Sequence, residues 1–239
     1  MFPSLKSLEI LIKKPQRRFA RRCYSQEGED MILQRVFGQR REGFFVDVGA
    51  HHPFRYSNTY LFYKKGWRGI NIDATPGSMR EFKKYRPADI NLEVAVSQTP
   101  GESCFYLFDD PAYNTFDANA AEKAQLAGAK LLEKANIASL PLKDILNEHL
   151  IENEKIDFLS VDVEGFDLDV LKSNDWIRYK PEYVLVECLG IALPEISEDS
   201  TYIYLGSLGY SIFAKTVHTV FFRHAENRPK SPPTPTQPP

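Results

Sequence analysis

Several function classes are disfavoured by what this 239-residue sequence lacks. Its three cysteines, Cys23, Cys104 and Cys188, are odd in number and far apart. They have neither a disulfide framework nor metal-ligand spacing, which suits a reducing, cytoplasmic setting. No apolar run approaches the roughly 18 residues of a membrane span. Positive charge is not in excess: 30 Lys and Arg face 32 Asp and Glu, a net charge of -2, which argues against a general nucleic-acid binder. There is no G-x-G-x-x-G to set a pyrophosphate on a helix N-terminus, no internal repeat, and no His-rich ligand spacing of the kind a metal-dependent hydrolase needs.

What is present is enough apolar sequence for one substantial core, with 43% hydrophobic and 26% charged residues. Three segments are expected. Residues 1–23 form a basic amphipathic arm, in which Lys6, Lys13, Lys14, Arg17, Arg18, Arg21 and Arg22 face a single acid, Glu9, and alternate with Phe2, Leu5, Leu8, Leu11, Ile12 and Phe19. Such an arm can lie peripherally on an anionic membrane, here the inner surface, act as a targeting segment, or pack its apolar side on the domain. Residues 24–225 form a single domain. Residues 226–239 end in RPKSPPTPTQPP, too rich in proline and too poor in apolar side chains to fold.

From Phe44 onward the pattern alternates strand, turn and helix. Phe44 to Val48 is an apolar run stopped by Gly49, as in a strand buried on both faces of a parallel sheet. A helix is expected over 58–65. Ile70 and Ile72 give a strand ending at Asp73, and Pro76 is placed to open a helix through Tyr85. Ile90 to Val96 reads as a third strand and Cys104 to Phe108 as an extra one. The alanine-rich stretch from Ala118 to Ala135 favours helix and would cap a site. Strands are expected at Ile156 to Val161 and Tyr183 to Val186. The β-rich runs Tyr210 to Val217 and His218 to Phe222 should pair as a tight antiparallel hairpin. This is an α/β fold with a mostly parallel sheet and helices on both faces.

Ligands of open α/β sheets bind beyond the carboxyl ends of the strands, and four acids stand there: Asp47, Asp73, Asp162 and Glu187. One such acid is usually a helix cap or turn residue; four call for more. Gly49 opens the first turn to close approach by a ligand. Asp73 follows Asp47 by 26 positions, near the separation of about 20 expected of an acid that accepts ribose hydroxyls. A ribose acid without pyrophosphate glycines suits S-adenosylmethionine.

The runs FFVDVGAHHPFRYSNTYLFYKKGWRGINIDATP, INLEVAVS and IDFLSVDVEGFDLDVLKS resemble the FkbM-type family of S-adenosylmethionine-dependent methyltransferases, over roughly residues 24 to 190. YSQEGED, at residues 24 to 30, resembles a subset of it. The resemblance implies a Rossmann-like class I methyltransferase fold, a mostly parallel seven-stranded sheet with a C-terminal antiparallel hairpin. It also implies O-methylation of a hydroxyl on a sugar, glycan or secondary metabolite. Asp47 and Gly49, with Ala50, match its first cofactor motif, Asp73 and Ala74 its ribose end, and Ala95 and Val96 the strand beside adenine. Asp162 and Glu164 match its D-x-E-G motif. His51 and His52 depart from the asparagine common at that turn.

A sulfonium methyl group is already activated, so the protein must align an incoming oxygen and help remove its proton. Asp162 is the leading base, supported by Glu164, Glu187 and His51; alternatively Asp162 and Glu164 hold the cofactor's amino group or cap the helix at Phe166. Asp162 and Glu187 are candidate ligands for a divalent ion such as magnesium. Asn58 is assigned to the cofactor, and Tyr56, Tyr113 and Asn114, with Thr59 and Phe116 near them, to a small-molecule or glycan acceptor. The rivals are an NAD-dependent sugar-nucleotide enzyme and a catalytically silent nucleoside-binding module.

Overall fold

The computed structural model describes residues 20–38, 40–110, 113–151 and 154–227. Most of the expected basic arm and the proline-rich tail beyond Asn227 therefore lie outside the described residues. The main sheet has seven strands: β1 (Phe44–Val48), β2 (Arg68–Asp73), β3 (Ile90–Glu93), β7 (Phe158–Val161), β8 (Tyr183–Glu187), β9 (Tyr210–Lys215) and β10 (Thr219–His224). Their order is β3-β2-β1-β7-β8-β10-β9. The first five are mutually parallel, and β10 runs antiparallel to both β8 and β9. The expected C-terminal hairpin is thus the feature that closes the sheet.

Alternation along the strands sorts the side chains into two faces. Val46, Val48, Ile70, Ile72, Leu159, Val161, Val184 and Val186 belong to one core cluster. It is covered by helices α5 (Leu142–His149), α6 (Asp167–Lys172) and α7 (Ser200–Ser207), through Leu146, Leu171 and Leu205 among others. Phe45, Phe158, Leu185 and Phe221 face the other way, against Leu33 and Phe37 of α1 (Glu29–Phe37) and Phe62 of α2 (Tyr60–Tyr63). Asp47, Ser160 and Glu187 continue that second alternation, so the polar strand ends fall on the α1 face.

Several boundaries differ from the sequence expectation. The alanine-rich stretch is helical only as α4 (Ala118–Leu126). Gly128, at φ 100°, turns the chain, and Leu131–Leu140 becomes strand β6, paired antiparallel with β5 (Gly101–Phe108). Ladder pairing there overrides alanine's helix preference, which is a weak prior. The run from Ile90 splits, because Ala95–Val96 leaves the main sheet as β4 and pairs with Ser139 and Leu140 of β6. Strands β4, β6 and β5 form a second small sheet over the carboxyl edge. The helix expected over 58–65 is regular only as α2; ahead of its first turn Ser57 Oγ accepts the Tyr60 N–H, and Thr59 Oγ1 donates to Asp47. Helix α3 (Met79–Tyr85) begins three residues beyond Pro76, after a turn closed by Ser78 N–H to Thr75 O.

Candidate active site

The first turn is built by backbone constraint. Gly49 has φ 82°, and its N–H donates to Ile72 O at 2.9 Å. A Cβ at this position would lie 1.7 Å from the carbonyl oxygen of Asp162. Glycine is therefore needed here for packing as well as for the ligand approach expected of it: the backbone after β7 fills the space a side chain would take. Two residues on, His51 adopts φ 53°, and its N–H donates to Asp73 Oδ2 at 2.8 Å; Thr75 N–H donates to Asp73 Oδ1 at 2.8 Å. Asp73, 8% exposed, is therefore fixed at both oxygens, each with a lone pair left to accept a further donor.

Asp73 looks into a cavity of about 250 Å³ between the main sheet and the small one. Gly49, Ala74, Ala95 and Val96, all assigned to the cofactor, are among its lining, with Phe116, Phe166, Gln98 and Asp169. Phe116 and Phe166 meet edge to face at 6.2 Å between centroids. The Gln98 amide donates to the Asp169 carboxylate, linking the loop after β4 to α6. Phe166, Gln98 and Asp169 were missed as site residues. Their only sequence signals are position: Gln98 follows Val96 by two residues, and Phe166 and Asp169 follow the D-V-E-G run.

Three residues assigned to the cofactor stand behind this lining. The methyl of Ala50 belongs to a core cluster with Met79 and Phe82. Asn58 Nδ2 donates to Ser160 Oγ at 3.1 Å. Asp47 is only 5% exposed and accepts from Thr59 Oγ1 at 2.9 Å. Thr59 Oγ1 in turn accepts from Arg86 Nη1 at 3.0 Å, and Arg86, fully buried, pairs with Asp89 at 2.9 Å. Burial pushes the Asp47 carboxyl up to about 6, against the opposing pull of the Arg86 guanidinium and the Thr59 hydrogen bond.

On the other side of Gly49 the carboxylates of Asp162, Glu164 and Glu187 converge, with ligand-capable oxygens all within 4.8 Å of one another. Asp162 is reached by solvent but crowded by protein. That desolvation, then the charges of Glu187 and Glu164, raises its pKa. Glu187 is raised to about 7, first by desolvation and then by Glu164 and Asp167. Glu164 is raised by desolvation and by Asp167, and it holds φ 53°, uncommon outside glycine. Asp167 takes the cap-like role, accepting N–H donation from Val163 and Gly165 at 3.2 Å each.

The remaining assigned residues are spread along the rim. His51 stacks on Tyr56 at 6.4 Å and 18°, and burial lowers its pKa and favours the neutral imidazole. Tyr56, also at positive φ, lies beneath the Arg55 guanidinium at 4.6 Å. Tyr113 and Asn114 sit on the β5–α4 loop. Asn114 is buried, and its Oδ1 accepts the Phe108 N–H at 2.8 Å, so that carbonyl braces the loop; Tyr113 is exposed beside Phe108.

A parallel sheet that reverses order between β1 and β7, with an antiparallel strand set between its last two members, defines a Rossmann-like methyltransferase fold. The chain belongs to the FkbM methyltransferase family: the Methyltransferase FkbM domain matches residues 47–212. No curated protein matches it. Among solved structures it is similar to methyltransferase FkbM from Methylobacillus flagellatus KT, at 14% identity and a TM-score of 0.48, over 84% of this chain and 48% of that one. The chain thus spans about half of that protein. It is also similar to a putative type 11 methyltransferase from Sulfolobus solfataricus, at 13% identity, TM-score 0.42, and 87% and 98% coverage. A third is an O-methyltransferase from Bacillus cereus in complex with SAH, at 9% identity, TM-score 0.37, and 93% and 91% coverage. These likenesses are loose, and membership rests on the domain match. No helix among the described residues is long and apolar enough to cross a membrane.

Proposed function

We propose that this methyltransferase transfers the methyl group of S-adenosylmethionine to a hydroxyl oxygen of a sugar, glycan or secondary metabolite. The observation that carries this is the junction at Gly49, where an apolar cavity holding a ribose-ready acid meets a carboxylate cluster. Asp73 would accept the two ribose hydroxyls, Ala95 and Val96 would flank adenine, and Phe116 and Phe166 would close over the ring. The sulfonium end would then reach Gly49 and the carbonyl of Asp162. An acceptor oxygen held by Asp162, Glu164 and Glu187 would attack the methyl carbon. As the new C–O bond forms, the C–S bond breaks, its electron pair passes to sulfur, and the hydroxyl proton passes to a carboxylate oxygen.

His51, neutral and stacked on Tyr56, would support that side of the acceptor, with Tyr113 on the facing loop. Asp162 and Glu187 also suit a hard divalent cation such as magnesium, which would polarise the acceptor oxygen. Calorimetric titration tests the cofactor: S-adenosylmethionine and SAH should bind and NAD should not. Binding of NAD in their place would overturn the reading. Release of SAH from S-adenosylmethionine with hydroxylated acceptors tests the chemistry, and an undiminished rate in excess chelator would remove the cation.

A further inference from the structure

A second concavity of about 310 Å³ lies on the outer side of α1 and α2, lined by Arg21, Arg22, Tyr24, Gln34, Leu61 and Lys64. Half of that lining is cationic and none is acidic. Lys64 Nζ donates to the Tyr24 hydroxyl at 2.8 Å and lies 5.1 Å from the centre of that ring. None of the ion pairs among the described residues uses Arg21, Arg22 or Lys64. Lys64, through its hydrogen bond, and Arg22 lower the pKa of the Tyr24 hydroxyl. That of Lys65 is lowered by burial and then by Arg21, against the pull of the Asp30 carboxylate, which accepts the Tyr24 N–H at 2.8 Å. An anion seated here would face three cations on one concave surface.

The sequence on its N-terminal side states which anion. Residues 1–19 add Lys6, Lys13, Lys14, Arg17 and Arg18 against Glu9, interleaved with Phe2, Leu5, Leu8, Leu11, Ile12 and Phe19. A free phosphate has no use for those apolar side chains, whereas a bilayer offers phosphates and hydrocarbon together. We infer that the Arg21–Arg22–Lys64 concavity docks the protein on an anionic lipid surface, with a lipid phosphate held by these three cations. The concavity also abuts the site, because Tyr24 O accepts the Ser57 N–H at 3.1 Å on the loop that runs from His51 to Thr59. Docking would hold that rim of the site close to the membrane.

The test is co-flotation of the full chain with vesicles of phosphatidylcholine alone or with one third phosphatidylglycerol. Binding is expected only to the anionic vesicles, falling at least tenfold between 50 and 500 mM NaCl as screening shortens. The variant R21E/R22E/K64E should lose at least tenfold in bound fraction. The variant K83E/K84E/K172E, with the same charge change on exposed residues elsewhere, should keep most of its binding. Thermal melting and S-adenosylmethionine titration of each variant check folding, and R21A/R22A gives a milder version. Equal loss in both triple variants, equal binding to neutral vesicles, no binding at all, or displacement by 10 mM inorganic phosphate would each overturn the inference.

Discussion

The two ends of the site are held in opposite electrostatic conditions. At the cavity end, Asp73 has each oxygen satisfied by a backbone N–H, and its neighbours are small or apolar. At the other end, Asp162, Glu164 and Glu187 crowd together, and the nearby backbone donors go to Asp167 instead. The first end is finished before anything binds, as suits a cofactor of fixed shape. The second is left in mutual repulsion that only a proton, a cation or a hydrogen-bond donor from an acceptor can relieve. Under the proposed function a site so divided would separate binding from chemistry, and substitutions should separate them too.

The sharpest way to break this division is at its junction. Gly49→Ala sets a methyl against the Asp162 carbonyl and strains a positive φ. The expected loss is about 4 kcal/mol or more of stability, read by denaturant unfolding. Next comes Asp162→Asn, for which methyl transfer should fall about 10²- to 10⁴-fold while the S-adenosylmethionine affinity stays within about threefold. Near-normal turnover would remove Asp162 from the chemistry.

Asp47 sharpens the comparison from behind the site. Its folded pKa of about 6 lies above the unfolded value of 3.8. Between those values the unfolded chain has released a proton that the folded chain retains, so stability falls as pH rises through about 4 to 6. Charged groups facing it are Arg86, Asp73 and Asp162. Asp47→Asn should flatten this slope and raise stability at pH 7 by up to about 3 kcal/mol, with the difference vanishing below pH 4. An unchanged melting profile across that window would show that Asp47 is ionised without cost. The smallest effect is expected at Asp73→Asn, which keeps one acceptor oxygen. Cofactor affinity should drop about 10- to 100-fold by titration, with the fold intact.

Much of this was legible because it depends on local pattern. Val46 and Val48 before Gly49, Ile70 and Ile72 before Asp73, and the paired runs at the C-terminus carry their strand character in their spacing, and the acids at strand ends mark the carboxyl edge. Asp47 and Asp73 look alike in sequence, however, and part only in space. One meets Thr59 with Arg86 behind it, while the other is presented to the cavity by His51 and Thr75. Arg86, Gln98 and Asp169 were silent because their roles come from partners distant in the chain or across the cavity. The stretch to Ala135 misled because alanine does not reveal that a neighbouring strand is waiting to pair with it.

His51, Tyr56 and Glu164 are the three non-glycine residues at positive φ among those described, and all three border the site. Each holds a backbone shape that glycine would adopt without strain, at a cost on the order of 1 kcal/mol. Folding alone would favour glycine at all three positions. The rim therefore keeps an imidazole, a phenol and a carboxylate against the backbone's own preference, the pattern expected if, as proposed, these side chains serve the acceptor.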